Sequence, residues 1–200
     1  ALTMLESGEA ITATNGGVLF GKMLQVAQGF ITTDSGDKVV LDHKSRTEAL
    51  VDLIKESTAK VVVFGVYRYG NTMLQKELDA VGIKAEIIDG SITGKKRAEI
   101  LKRFQTEADL QVLICHPTTT AYGVELSAAD TMIFNGAPPL GDFVYGQALE
   151  RLSSAKQRAR SIQVIRLSAT SEERKLFRAL TSGQQQGSFI QALFESYQEQ

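Results

Sequence analysis

Gln147 and Arg151 stand four residues apart in the run Gln147-Ala148-Leu149-Glu150-Arg151, a spacing that places both side chains on one face of a helix. An arginine so placed can present a planar, permanently charged fork to a phosphate at the domain's edge, although a solvated helix with a basic exit through Lys156 and Arg158 has the same pattern. A second candidate is the run from His116 to Leu126, rich in threonine. Small and hydroxylated residues after a strand can offer O–H and N–H groups to phosphates, or satisfy their own backbone. Tyr67-Arg68 and Asp89-Gly90-Ser91, with Arg97 beyond, form a third group, each piece of which alone is an ordinary turn. Cys115 and His116 are adjacent and lack metal-ligand spacing, and catalytic use would need a partner base. Cys115 is expected to be buried at the end of a strand.

One further motif is a decoy. Gly16 to Lys22 has the spacing of a phosphate-binding loop, but Met23 occupies the position of the magnesium-binding hydroxyl. Only a weak strand, Ile11 to Asn15, precedes it, and Val18, Leu19 and Leu24 fit a helix face.

These residues need a scaffold, and the apolar pattern supplies one. Lys60–Phe64, Ala85–Ile88, Gln111–Cys115, Thr131–Phe134 and Ser161–Ile165 read as strands, most of them apolar on both faces. Such runs suit a parallel sheet covered by helices on each side. Asn71–Val81 reads as a helix facing inward with Leu74, Leu78 and Val81, and Lys95–Phe104 with the Arg97 stem, Leu101 and Phe104. Ser45-Arg46-Thr47-Glu48 reads as a capping box opening a helix through Ile54, with Ala49, Leu50, Leu53 and Ile54 buried. Gly29–Thr33 and Lys38–Leu41 flank Asp34-Ser35-Gly36-Asp37 as a β-hairpin outside the main sheet. Ser171 is expected to cap a helix to about Leu180, and Gln184-Gln185-Gln186-Gly187 is a polar break before a last short helix. Ligands of such a sheet belong at the carboxyl ends of its strands, here residues 65–70, 89–93, 116–123 and 135–142.

With 43% hydrophobic and 22% charged residues and a formal net charge of -1 over 200 residues, the chain has the composition of a globular domain rather than a disordered one. Any nucleic-acid contact must then come from a local patch or from backbone amides. The single cysteine excludes an internal disulfide, and no apolar run reaches membrane-spanning length or signal-peptide form. A cytosolic or nucleoid compartment is expected. The start at Ala1, without an initiator Met, fits an excised fragment as well as a processed protein, and a fragment is the expectation.

Taken in order, the segments from about Lys44 to Leu167 resemble the carboxyl-terminal motor domain of superfamily 2 helicases, nearest to the Swi/Snf-like group and its phage-encoded relatives. Lys60–Leu78 looks like motif IV, Ile88-Asp89-Gly90-Ser91 with Arg97 and Phe104 like the D-G-S element, and His116–Asp130 like motif V. Gln147–Gln157 is similar to motif VI, in which Gln147, Ala148, Arg151 and Gln157 match. Ser154 stands where the second arginine belongs, Lys156 where a glycine does, Glu125 where an asparagine does, and Thr120-Ala121 replaces a small Ala-Gly pair.

The resemblance implies an α/β fold, a three-layer αβα RecA-like domain over 44–182 with a mostly parallel sheet. Residues 1–43 would be a helix-and-hairpin extension and 183–200 a tail helix. It implies ATP with Mg2+, both held mainly by an amino-terminal motor domain of the same protein, and a monomer that grips the DNA backbone. Arg151 and Gln147 would be catalytic. Gly123, Glu125, Gln147, Arg151, Lys156 and Arg158 would face the nucleotide, Lys156 or Arg158 substituting for the arginine missing at Ser154. Tyr67, Arg68, Gly90, Ser91, Thr118 and Thr119 would contact DNA. The alternatives are a stand-alone nucleotide or sugar-phosphate enzyme, for which no phosphate loop or catalytic pair is found, and a degenerate RecA-like module that only binds DNA or protein.

Overall fold

The computed structural model of the protein describes residues 2–4, 8, 10–122, 124–139, 141–151, 157, 159 and 161–182. A hairpin of β1 (Leu2–Met4) and β2 (Ala10–Thr12) leads into α1 (Gly16–Ala27), then a second hairpin of β3 (Phe30–Thr32) and β4 (Lys38–Val40). There follow α2 (Lys44–Glu56), β5 (Lys60–Phe64), α3 (Arg68–Ala80), β6 (Ala85–Ile88), α4 (Gly94–Thr106) and β7 (Val112–Cys115). A 3-10 turn (Pro117–Tyr122), β8 (Ala129–Asn135), α5 (Gly141–Glu150), β9 (Gln163–Leu167) and α6 (Ser171–Ser182) complete the described chain.

The strands β6-β7-β5-β8-β9 form one sheet in that order, with every neighbouring pair parallel. Successive residues of a strand point to opposite faces, so an apolar run feeds two cores at once. Val62, Phe64, Leu113, Cys115, Met132 and Phe134 pack with Ile100 and Phe104 of α4, Tyr145 and Ala148 of α5, and Leu176, Phe177 and Leu180 of α6. Val61, Val63, Val112, Ile114 and Ile133 pack with Leu50, Val51 and Ile54 of α2 and Leu74 and Leu78 of α3. Each large side chain so buried contributes about 1.5–3 kcal/mol, which makes both helical layers obligatory. The domain is therefore the expected three-layer αβα, RecA-like unit with a small antiparallel hairpin beside it.

Several boundaries differ from the sequence reading. The capping box at Ser45 is not used: α2 starts at Lys44, its N-cap is His43 without a side-chain cap, and Asp42 Oδ1 accepts from the Lys44 amide at 3.1 Å. Because the helix begins before Ser45, the Thr47 amide bonds the His43 carbonyl at 3.1 Å and Ser45 lies inside the first turn. The α2 face also turns: Arg46 and Val51 are buried with Leu50 and Ile54. Thr170, not Ser171, caps α6, its Oγ1 accepting from the Glu173 amide at 3.2 Å. Val81 lies just past α3 and is 49% exposed, and Val18 is 36% exposed. The helix expected after residue 187 lies outside the described residues.

Residues 16–30 pack into the domain as well as flanking it. Phe20 and Leu24 of α1 belong to the core. Phe30 of β3 meets Tyr67 edge-on at 5.7 Å and Tyr69 at 5.1 Å between ring centroids.

Candidate functional site

The carboxyl ends of β5, β6 and β7 open into a groove of about 550 Å³ lined by Val66, Arg68, Asn71, Asp89, Gly90, Ser91, His116 and Thr118. Its floor is built by a close approach. Asn71 of α3 is buried and donates from Nδ2 to the Gly65 carbonyl at 3.0 Å, and a Cβ at Gly65 would lie 1.8 Å from Asn71 Oδ1. Only glycine lets the strand end and the helix start meet there.

Asp89 is 8% exposed and accepts from the Ser91 amide at 2.8 Å and the Ser91 hydroxyl at 2.6 Å. Arg68 Nε sits 3.4 Å from Asp89 Oδ2 while its side chain stays 74% exposed. Burial pushes the Asp89 carboxyl upward, but the Ser91 hydrogen bonds and the charges of Arg68 and His116 outweigh it and hold the group below its ordinary value. The carboxylate is thus a fixed anchor for the loop and for Arg68.

The residues expected to contact DNA divide by orientation. Arg68, Gly90, Ser91 and Thr118 line the groove. Tyr67 turns inward instead, its hydroxyl donating to the Gly21 carbonyl at 3.2 Å; burial, helped by the Glu173 charge, pushes its phenol up to about 12. Thr119 is 4% exposed and donates its hydroxyl to the His116 carbonyl at 2.6 Å. Asp89 and His116, which the sequence places in the candidate loops but not among the DNA contacts, also line the groove, and so does Asn71, which the sequence places only at the start of a helix. His116 and Asp89 each directly follow a strand, and that position was the available signal.

The second cluster lies at the opposite end of the sheet. α5 starts after the carboxyl end of β8 and runs back toward the amino ends of the strands, as a crossover between the parallel β8 and β9 requires. Arg151 is the first residue past α5, its amide on the Ala148 carbonyl at 3.3 Å. It is half-buried, and its Nε is buried with no hydrogen-bond partner among the described residues. Gln147 lies one turn earlier and is also half-buried. Gln157 is tied to the start of β8, donating to the Ala129 carbonyl at 2.8 Å, and accepts from the Ala159 amide at 3.0 Å. Glu125 Oε1 accepts from the Ser127 hydroxyl at 2.8 Å, and its carbonyl takes Gln105 Nε2 at 2.9 Å. Gly123, Lys156 and Arg158 lie outside the described residues.

The crevice between β5 and β8, whose following connections leave in opposite directions, is where a doubly wound sheet ordinarily takes a ligand. Here Gln28 reaches Asn135 at the end of β8, and Phe30 packs on Tyr67 beyond β5. The glycine-rich run at Gly16–Lys22 is no phosphate loop: it forms α1, capped by Asn15 Oδ1 on the Val18 amide at 3.0 Å, and Lys22 Nζ donates to the Thr32 carbonyl. No group of three or more metal-ligating side chains occurs among the described residues, and none of their helices is long and apolar enough to cross a membrane.

The model of the helicase conserved C-terminal domain matches residues 45–174, which is the sheet with all but its last helix turns. The chain belongs to that family. This helicase C-terminal domain is 29% identical over 125 residues to the chromodomain-helicase-DNA-binding protein 1-like of Danio rerio, covering 62% of the chain and 12% of that protein. It is 27% identical over 180 residues to the chromatin-remodeling ATPase INO80 of Drosophila melanogaster, covering 88% of the chain and 10% of that protein. The carboxyl-terminal part of the Fun30 ATPase domain shares its fold, with a TM-score of 0.61, 20% identity and coverage of 66% of this chain and 44% of that one. The domain therefore spans about a tenth of the length of these curated relatives. They agree with the Swi/Snf-like resemblance, and the phage-type part of it draws no support from them.

Proposed function

We propose that this helicase C-terminal domain is the second half of an ATP-dependent DNA translocase, closing on a nucleotide held by a first motor domain and supplying Arg151 to it. The observation that carries the reading is the unpartnered Nε of Arg151, a buried charged donor at the end of α5. Such a donor is costly unless an acceptor arrives, and a triphosphate gripped by a neighbouring domain is an acceptor of the right charge. The residues present fit that role: Arg151 would approach the terminal phosphate, and Gln147 one turn away would orient it. Lys156 or Arg158 would add the positive charge that Ser154 lacks. ATP with Mg2+ would supply the phosphoryl group and its counter-charge, held mainly by the partner domain, and the guanidinium would stabilise charge on the phosphoryl oxygens.

The groove at the other end of the sheet would track the DNA backbone through Arg68, Gly90, Ser91 and Thr118, in keeping with the DNA-binding and chromatin-remodeling names of the relatives. Contacts to phosphates give sequence-independent grip. Tyr67 and Thr119 would shape this surface from behind. A second reading, a degenerate module that only binds, is favoured by Ser154 in place of the second arginine.

The test is DNA-stimulated ATP turnover of the motor containing both domains. Arg151→Ala is expected to lower turnover by about 10³-fold or more, with Arg151→Lys recovering little. Unchanged turnover would remove the arginine role, and absence of turnover in the unmodified motor would favour the binding-only module. The 200-residue chain alone is expected to hydrolyse essentially no ATP.

A further inference from the structure

His116 sits at the end of β7 with its ring on the groove side, and its Nδ1 is 2.7 Å from Thr118 Oγ1 and 3.3 Å from the Thr118 amide. An amide nitrogen can only donate, so Nδ1 must accept from it, and the proton of the neutral ring resides on Nε2. Thr118 has one hydroxyl proton, and an accepting Nδ1 draws that proton too. With the ring neutral, both donors of the exposed Thr118 therefore point at the imidazole, and the hydroxyl turns lone pairs toward the groove. A phosphate would meet them as repulsion.

We propose that His116 is a proton-operated switch on Thr118, releasing its hydroxyl and amide protons to a DNA phosphate when Nδ1 takes up a proton. The inference rests on the reading of this groove as the DNA surface. Protonation from solvent turns Nδ1 into a donor to Thr118 Oγ1, so the hydroxyl proton swings outward and the amide loses its acceptor. The same step places a positive charge beside the bound anion. DNA binding and proton uptake then favour each other, as linkage requires.

The surroundings favour the neutral ring in the unliganded domain, so an arriving anion would draw in a proton that is otherwise absent. Burial lowers the His116 pKa, opposed by a backbone hydrogen bond with Val66 and by the charge of Asp89. The charged groups facing it are Asp89 from the loop after β6 and Arg68 at the start of α3, paired with each other at 3.4 Å. Arg97 of α4 approaches from beyond, its Nη2 3.5 Å from the Asp89 carbonyl. Cys115, next in the chain, is buried, and burial pushes its thiol up to about 12, so it stays neutral.

The test is the affinity of the 200-residue chain for a fluorescein-labelled mixed-sequence duplex between pH 6 and 8.5, at fixed ionic strength. The wild type is expected to bind more tightly as pH falls, by up to about tenfold per unit where one proton is taken up. His116→Gln and Thr118→Val should bind with a markedly flatter profile, Thr118→Ser should restore the slope, and His43→Gln should keep it. The sequence holds two histidines, so the His116 imidazole resonance can be assigned by variant, and its midpoint should rise on adding DNA. An unmoved midpoint, or an unchanged slope in His116→Gln with binding intact, overturns the proton linkage alone. Failure to bind DNA at any pH overturns the groove reading and the switch together.

Discussion

Gln28 at the end of α1 donates from Nε2 to the carbonyl of Asn135, 2.7 Å away and 107 residues later. That bond latches the amino-terminal helix onto the carboxyl end of β8. Gly136 makes the approach possible, with φ at +91° and no room for a side chain: a Cβ there would lie 2.1 Å from Gln28 Nε2 and 2.7 Å from Glu173 Oε1.

Substitution at the two ends of this latch should therefore differ in cost. Gln28→Ala removes one hydrogen bond and is expected to cost about 1 kcal/mol. Gly136→Ala adds left-handed strain to a steric clash and should cost about 2–4 kcal/mol. Urea unfolding midpoints of the two variants check the order, and an equal shift would mean that α1 is not held in this crevice.

Arg46 of α2 and Glu173 of α6 form an ion pair whose side chains are 7% and 1% exposed. Arg46 Nη1 also donates to Asn135 Oδ1 at 3.1 Å, and Glu173 Oε2 takes the Ala169 amide at 2.7 Å. Arg46→Met should cost about 3–5 kcal/mol, because it strands a buried carboxylate. The double variant Arg46→Met, Glu173→Leu should recover much of that loss, since two matched apolar groups owe no desolvation. Denaturant midpoints of both proteins decide it: a double variant no better than the single one would show the charges themselves to be stabilising.

His43 joins the hairpin to α3. Its Nδ1 lies 2.8 Å from the Leu41 carbonyl and its Nε2 is hydrogen-bonded to Glu77. Two acceptors face two ring nitrogens, and only the protonated ring can donate to both. Burial lowers the His43 pKa, but the Leu41 carbonyl, Glu77 and Asp42 outweigh it, and the value is raised above the ordinary one. A raised pKa means that the folded protein holds the proton more tightly than the unfolded chain. The stability is fully present below the ordinary histidine value and is lost as pH rises through the folded value. The difference in unfolding free energy between wild type and His43→Gln should thus be larger at pH 5.5 than at pH 8.5. A difference independent of pH would show that the ring is neutral in the folded state.

Much of the sheet was legible because its signal is local. Val61 to Phe64 and Val112 to Cys115 are apolar on both faces, and a strand flanked by helices requires that whatever the rest of the chain does. Element ends were less legible. Ser45 and Glu48 have the capping spacing, yet the helix starts one residue before Ser45 with Asp42 holding the Lys44 amide, and Asp42 and Ser45 offer nearly equal local chemistry. In the groove, the loops were found from strand order, but not which hydroxyls face solvent. Tyr67 faces inward because Gly21, 46 residues earlier, offers its carbonyl and Phe30 offers its ring.

By itself the sequence determined the alternation of strands and helices, the loops at the carboxyl ends of the strands, and the arginine at the end of α5. Short-range periodicity and motif spacing encode these. Only the tertiary structure decided that Gln28 reaches the crevice between β5 and β8, that Arg46 pairs with Glu173, and that His116 holds the donors of Thr118. The first two join groups far apart in the chain, where complementary charge and shape become visible once packing has brought them together. The third spans two residues, but a ring and a hydroxyl have many relative orientations, and the end of β7 and the groove wall select one.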